Sequence, residues 1–272
     1  MASSQLSFWK KAKTERESNI FLKIRKSSVY DPDFEQHLID YDVYSYEYNY
    51  DDDDDSVYLN NWEKMNERLM QSQSSLLSLC FSCEVFQKFE KMNMQALTEN
   101  KVMSKVFSII IDTVNVSLQK NLWFENLKDL TDNFIIKAKL NFYDEAHLKE
   151  LNKQIWKELR PYIMSLTNTA ALCLLNFFMK SKDFNDDMLT CKNQALYDGA
   201  LSVWGIYELQ SYVDSETAHD NKAYIITLTY YLSELLIMYT TYAVTFKNSK
   251  HQIEYCMTQL NSFAMTDNSN TF

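Results

Sequence analysis

Cys80 and Cys83 form a C-x-x-C pair, a spacing that puts both sulfurs on one face of a helix and suits metal or redox chemistry. A zinc site needs further ligands, and no second cysteine pair or neighbouring histidine supplies them, so both read as small buried hydrophobes. His37, His147, His219 and His251 are scattered, without H-E-x-x-H spacing. His147 follows Asp144 and Glu145 in a stretch that reads as a solvated helix face. No G-x-S-x-G elbow marks a nucleophile. The pattern points to no catalytic residue, no metal and no cofactor, and the expectation is a protein that is not an enzyme.

Glycine and proline are scarce. The 272 residues hold 2 of each, where average usage gives about 19 and about 14. Without glycine the backbone cannot approach phosphate closely, which excludes a P-loop and a G-x-G-x-x-G turn. A sheet protein with many tight hairpins would also use more turn residues. The fold class expected is therefore all-α. A net charge of −10 argues against nucleic acid as a partner. Five unevenly spaced cysteines do not suggest a disulfide framework, and the Met1–Gln5 start has no apolar signal core, so an intracellular protein is expected. Residues 223–246 carry Glu234 as their only charge and are long enough to span a bilayer. Their many Thr and Tyr residues favour a buried core helix instead.

The chain divides into three parts. Residues 1–60 join a basic arm to an acidic, tyrosine-rich segment, whose uncompensated charge over 30–58 predicts disorder. Residues 61–263 read as the helical domain and 264–272 as a flexible tail. Trp62, Met65, Leu69 and Leu76–Phe89 suggest one or two helices. Leu148, Leu151, Ile155, Trp156 and Leu159 form one amphipathic face. Pro161 marks a break or a helix start, and 162–179 is apolar almost all round, which predicts a central helix. Ile109–Leu118 is β-branched, but its neighbours favour helix. Ile253, Cys256, Met257, Leu260 and Phe263 suggest a last helical stripe.

Both glycines fall in Leu196–Leu209, with Asp198-Gly199 followed by Trp204-Gly205. A tight joint between helices accounts for them, Gly199 allowing a left-handed or crowded backbone and Gly205 the approach of a second helix. Asp198 near a helix start could cap free N–H groups. This stretch resembles the first homology motif of the Bcl-two-like apoptosis regulators. Ile110–Lys120, with Trp123 beyond, is similar to that family's fourth motif. Leu127–Phe134 is similar to the third, and Thr229–Leu236 to the helix after the central hairpin. The likeness spans roughly residues 105–245. Ile206 stands where the family carries an Arg that pairs with a partner's Asp.

The resemblance implies a helical bundle around a buried central hairpin, with an apolar groove for a partner's amphipathic helix. Leu127, Leu130, Asp132 and Phe134 would line one wall. Trp204, Gly205 and Leu209 would form part of the floor, and Asp198 and Gly199 would also belong to the partner-binding site. With Ile206 in place of Arg, binding would rest more on apolar burial. The implied role is regulation of apoptosis, inhibitory, through pro-apoptotic partners, in the cytoplasm or at the mitochondrial membrane, as in a divergent viral homologue. The alternative is a non-enzymatic host-interaction or structural protein that keeps the bundle without a working groove.

Overall fold

The computed structural model describes residues 26–45, 59–71, 83–96, 98–111, 119–123, 126–131, 135–136, 139–147, 151–163, 172–181, 187–213, 220–231, 234–245 and 253–267. The helices among them are α1 (Phe34–Ile39), α2 (Trp62–Met70), α3 (Cys83–Gln95), α5 (Lys153–Ile163) and α6 (Met188–Val213). Between α3 and α5 lies α4, in which Glu99–Lys101 passes through a π-helical turn, Val102–Val106, into Phe107–Ile111. The strands are β1 (Val43–Tyr44), β2 (Gln119–Trp123), β3 (Lys139–His147), β4 (Leu172–Ser181), β5 (Ile225–Tyr231), β6 (Leu235–Thr245) and β7 (Ile253–Ala264). They form one mixed sheet in the order β1-β7-β6-β5-β4-β3-β2. Five of the strands are long, and β1 and β2 are short edge strands.

The fold is mixed α/β, which corrects the expected all-α bundle with a central helical hairpin. Residues 223–246, expected as one core helix, supply β5 and β6 instead. The expected last helix is β7, and the apolar stretch 162–179 ends α5 and then enters β4. The misleading feature is burial on both faces of the sheet. On β6, Ile237 and Tyr239 point to one cluster and Leu236 and Met238 to another. A strand covered on both sides reads as a continuous apolar run, without the alternation that marks a half-exposed strand. Its β-branched and aromatic content (Ile225, Thr227, Tyr230, Tyr239, Thr240, Val244) suits a pleated surface.

The connections explain how a sheet forms with so little glycine. β3 reaches β4 through α5, and β4 reaches its parallel neighbour β5 through α6. β5 and β6 are joined by a short reversal, in which the Glu234 N–H donates to the Tyr231 carbonyl at 3.1 Å. Neither glycine has a positive φ; Asp42, Leu174 and Asn221 do. Asp and Asn tolerate that conformation through local hydrogen bonding. Leu174 lies where β4 slips register against β3, as in a bulge. The glycines therefore serve close packing, not a left-handed turn.

Two helical layers cover the sheet. On one face α6 and α1 pack against Phe178, Ile225, Tyr239, Tyr255 and Met257. On the other, α3 and α4 bury Phe89, Val106 and Phe107 against Leu228, Tyr230 and Leu236, and α2 lays Trp62 and Met65 near Tyr242 and Val244. The Tyr230 hydroxyl donates to Asn93 Oδ1 at 2.8 Å, so α3 is tied to β5 by a buried hydrogen bond. The acidic stretch expected to be disordered contributes α1 and β1, and its residues 46–58 lie outside the described residues. Phe34, Leu38 and Val43 are buried, and β1 pairs in parallel with β7. Three apolar anchors suffice because the charged neighbours stay at the surface. Among the described residues, no helix is long and apolar enough to cross a membrane.

Burial raises the pKa of the Tyr197, Tyr230 and Tyr255 hydroxyls far above the ordinary tyrosine range. A folded pKa above the unfolded one stabilises the fold below the unfolded value, and that contribution is lost as pH rises towards the folded values. Stability should therefore be insensitive to these groups up to about pH 10 and fall above it. Urea midpoints against pH, with tyrosinate absorbance followed in parallel, check this. The buried hydroxyls should ionise together with unfolding, after the exposed ones.

Candidate functional site

α6 is 26 residues long, and its stretch from Thr190 to Val203 is buried almost without interruption. A helix covered on every side must be apolar or pair its polar groups internally. α6 does both. Asp198 meets Lys180 of β4 at 2.6 Å, and the two side chains are 1% and 3% exposed. The Ser202 hydroxyl donates to the Asp198 carbonyl at 2.8 Å. Asp198 is thus an internal ion-pair partner, not a helix cap and not a groove residue. A Cβ on Gly199 would overlap the Thr241 hydroxyl of β6 at 2.3 Å, and one on Gly205 would meet the Tyr162 carbonyl of α5 at 2.6 Å. Gly199 sets the distance from helix to sheet, and Gly205 the distance from helix to helix.

The segment 126–131 is fastened to the end of α5. Asn126 Nδ2 donates to the Arg160 carbonyl at 3.3 Å, and the Lys128 N–H to the Pro161 carbonyl at 2.6 Å. Asp129 Oδ1 accepts from the Thr131 N–H and hydroxyl at 2.8 and 2.7 Å, a local turn that closes beside Tyr197. Leu127, Leu130 and Trp204 pack at the margin of the main core, and Leu209 packs near Leu159 and Ile163. The Trp204 and Tyr162 rings meet edge to face, 5.0 Å apart. Lys128 Nζ stands 5.3 Å from the Tyr162 ring centre and 5.5 Å from that of Trp204, within cation–π range. Trp204 Nε1 donates to Glu208 Oε1 at 2.9 Å.

The structure therefore brings together Leu127, Leu130, Trp204, Gly205 and Leu209. They form a packed junction, where the resemblance implied an open groove. Asp198 and Gly199 face the sheet instead. Asp132 and Phe134 lie outside the described residues, as do Cys80 and most of the segment likened to the fourth motif, 112–118. Pro161 sits inside the last turn of α5, not at a helix start. Cys191 and Cys256 are buried thiols in no disulfide. Among the described residues, no cluster of His, Cys, Asp and Glu could hold a metal ion.

A narrow cleft opens on another side of α6. Val203, Ile206, Tyr207 and Gln210 line it from the helix, and Asp220, Lys222, Tyr224 and Ala243 from the sheet side. Asp220 is the carboxylate among these residues. Its Oδ1 accepts from the Lys222 N–H at 3.0 Å, and its Oδ2 from Lys222 Nζ at 3.2 Å and from the Tyr224 hydroxyl. Burial pushes the Asp220 carboxyl up, but these donors outweigh it and hold the group below the usual carboxylate range. Burial and the Asp220 charge push the Tyr224 hydroxyl up. The segment is braced from behind. The Asn60 N–H and Nδ2 donate to the Asn221 and Asp220 carbonyls at 2.9 and 2.7 Å, and the Asn61 side chain bonds both backbone groups of Ala223 at 2.9 and 3.0 Å. Sequence reasoning missed Asp220 and Tyr224, because it placed the second inside a supposed helix. The Asp-Asn pair at a turn was the available signal.

No protein-family model, curated protein or solved structure matches this chain. The Bcl-two-like bundle is replaced by an α/β fold, so the anti-apoptotic role inferred through that bundle has no support.

Two sets of substitutions test the junctions of α6. Gly199→Ala should cost about 1–3 kcal/mol in overpacking, and Thr241→Ala should recover part of it by removing the overlapping hydroxyl. Gly205→Ala should cost a similar amount with no recovery from Tyr162→Ala, since the obstacle there is backbone. Lys180→Met and Asp198→Asn should each cost about 3–5 kcal/mol by stranding a buried charge. Together they should cost less than their sum by about 0.5–3 kcal/mol. Denaturant unfolding of the single and double variants reads both.

Proposed function

We propose that this chain is a non-enzymatic interaction protein that presents the outer end of α6 and its aromatic neighbours to a protein partner. The observation that carries this reading is the gathering of partly exposed aromatic side chains there. Trp204, Tyr207 and Tyr212 project from α6 itself. Tyr162 of α5 meets Trp204 edge to face, and Tyr224 and Tyr207 line the cleft together. Tyr212 is 40% exposed and Tyr224 43%, and the following Val213 is more exposed still. Trp and Tyr dominate the energetics of protein interfaces because they bury large areas with few rotatable bonds. They are held here on a helix whose other end is locked into the core, so little ordering is left for binding to supply.

Selection of a randomised peptide library on the full-length protein tests the proposal. Selected peptides should bind with micromolar or tighter dissociation constants. Tyr207→Ala combined with Tyr212→Ala should weaken them about tenfold or more. Met94→Ser, at an exposed position on α3 across the sheet, should leave binding unchanged. Failure to enrich any binder, or binders that ignore the α6 pair, would overturn the reading.

A further inference from the structure

We infer that the cleft between α6 and residues 220–224 is a receptor for a cationic side chain, and specifically for the guanidinium of an arginine on a partner. This inference rests on the proposed interaction role and names the chemistry of its anchor. Three features of the cleft lead to it. The first is size. The cleft encloses about 20 Å³, far below the roughly 300–1,000 Å³ of pockets that take up whole small molecules, so only the tip of one side chain enters it.

The second feature is the charge in the lining. Asp220 is ionised and about one-third exposed, and the Asn60 and Asn61 bonds hold its backbone in place. Its present cation, Lys222, is 47% exposed and lies two residues away on the same segment. Such an exposed pair is held weakly, so an incoming cation displaces it at little cost. Lys222 thus occupies the carboxylate until a stronger donor arrives.

The third feature is the walls. Tyr224 donates to the carboxylate, Tyr207 lines the same cleft, and Val203, Ile206 and Ala243 supply apolar surface. A guanidinium is planar, weakly hydrated and forked. It can bond a carboxylate through two N–H groups while its faces lie on tyrosine rings. An ammonium lacks the fork and is more strongly hydrated, so the cleft discriminates in favour of arginine. The net charge of −10 draws a basic partner towards the protein at long range.

The test uses the full-length protein with ring-labelled tyrosines, titrated by NMR with acetyl-arginine amide, acetyl-lysine amide and acetyl-citrulline amide. The arginine compound should shift the Tyr207 and Tyr224 resonances saturably in the millimolar range. Neutral citrulline should not, and lysine should bind several-fold more weakly. Asp220→Asn should abolish the arginine shifts with little change in thermal midpoint. Lys222→Ala should tighten arginine binding several-fold by removing the resident cation. Equal responses to arginine and citrulline, or arginine shifts that persist in Asp220→Asn, would overturn the inference. So would the absence of any shift at Tyr224. The peptide selection reads the interaction role separately. Peptide binders that need Tyr207 and Tyr212 but tolerate replacement of every arginine by citrulline would leave that role standing and remove only the arginine anchor.

Discussion

α6 lies on the sheet at a distance set by Gly199, whose missing side chain makes room for Thr241, and the rest of the fold is arranged around that contact. A helix brought so close loses its water along the whole inner face. Its polar groups must then find partners in the protein, and the Lys180–Asp198 pair is the main consequence. Shifting α6 by one residue along β4 would rotate Asp198 away and strand both charges. The pair therefore fixes the register of helix on sheet, a use for buried ions better attested than raw stabilisation. Gly205 repeats the close approach on the opposite side, where α5 places its Tyr162 carbonyl over the helix.

The same arrangement accounts for what reaches the surface. Because α5 and the segment 126–131 close over Trp204, the residues that resembled a groove floor are spent on packing. Beyond Gly205 the helix passes the edge of its covering and exposes its later side chains on both flanks. On one flank Lys128, Tyr162 and Trp204 form a cation–aromatic cluster. On the other, Tyr207 meets the braced turn that carries Asp220 and Tyr224. The rigidity of the buried part and the chemistry of the exposed part thus belong to one element. Binding at that end would meet a surface already ordered by the core.

α1 and β1 show how charge can hide a folded segment. Asp31, Asp33, Glu35, Asp40 and Asp42 dominate the composition there, and composition averages over position. Phe34 and Leu38 are four residues apart on one helix face, and Val43 starts a strand beside β7. The Phe34 ring meets Tyr197 edge to face at 6.5 Å, which ties this segment directly to α6. Net repulsion among the carboxylates is weak because they remain in water, where the dielectric screens them.

Features that depend on neighbours along the chain are legible in the residues alone. The apolar stripe Leu151, Ile155, Trp156 and Leu159 specified α5, because one of its faces stays in water and the 3.6-residue period survives. The pairing of Gly199 and Gly205 marked a place of close packing. That Ile225–Tyr231, Leu235–Thr245 and Ile253–Ala264 are strands is settled by pairing in three dimensions. Burial on both faces erases the alternation, and pairing partners far along the chain choose between extended and helical backbone. The same three-dimensional arrangement turns Asp198 inward to Lys180 and sets Asp220 and Tyr224 in one cleft with Tyr207. Those side chains come together only when the sheet closes under α6, and no spacing along the chain records that distance.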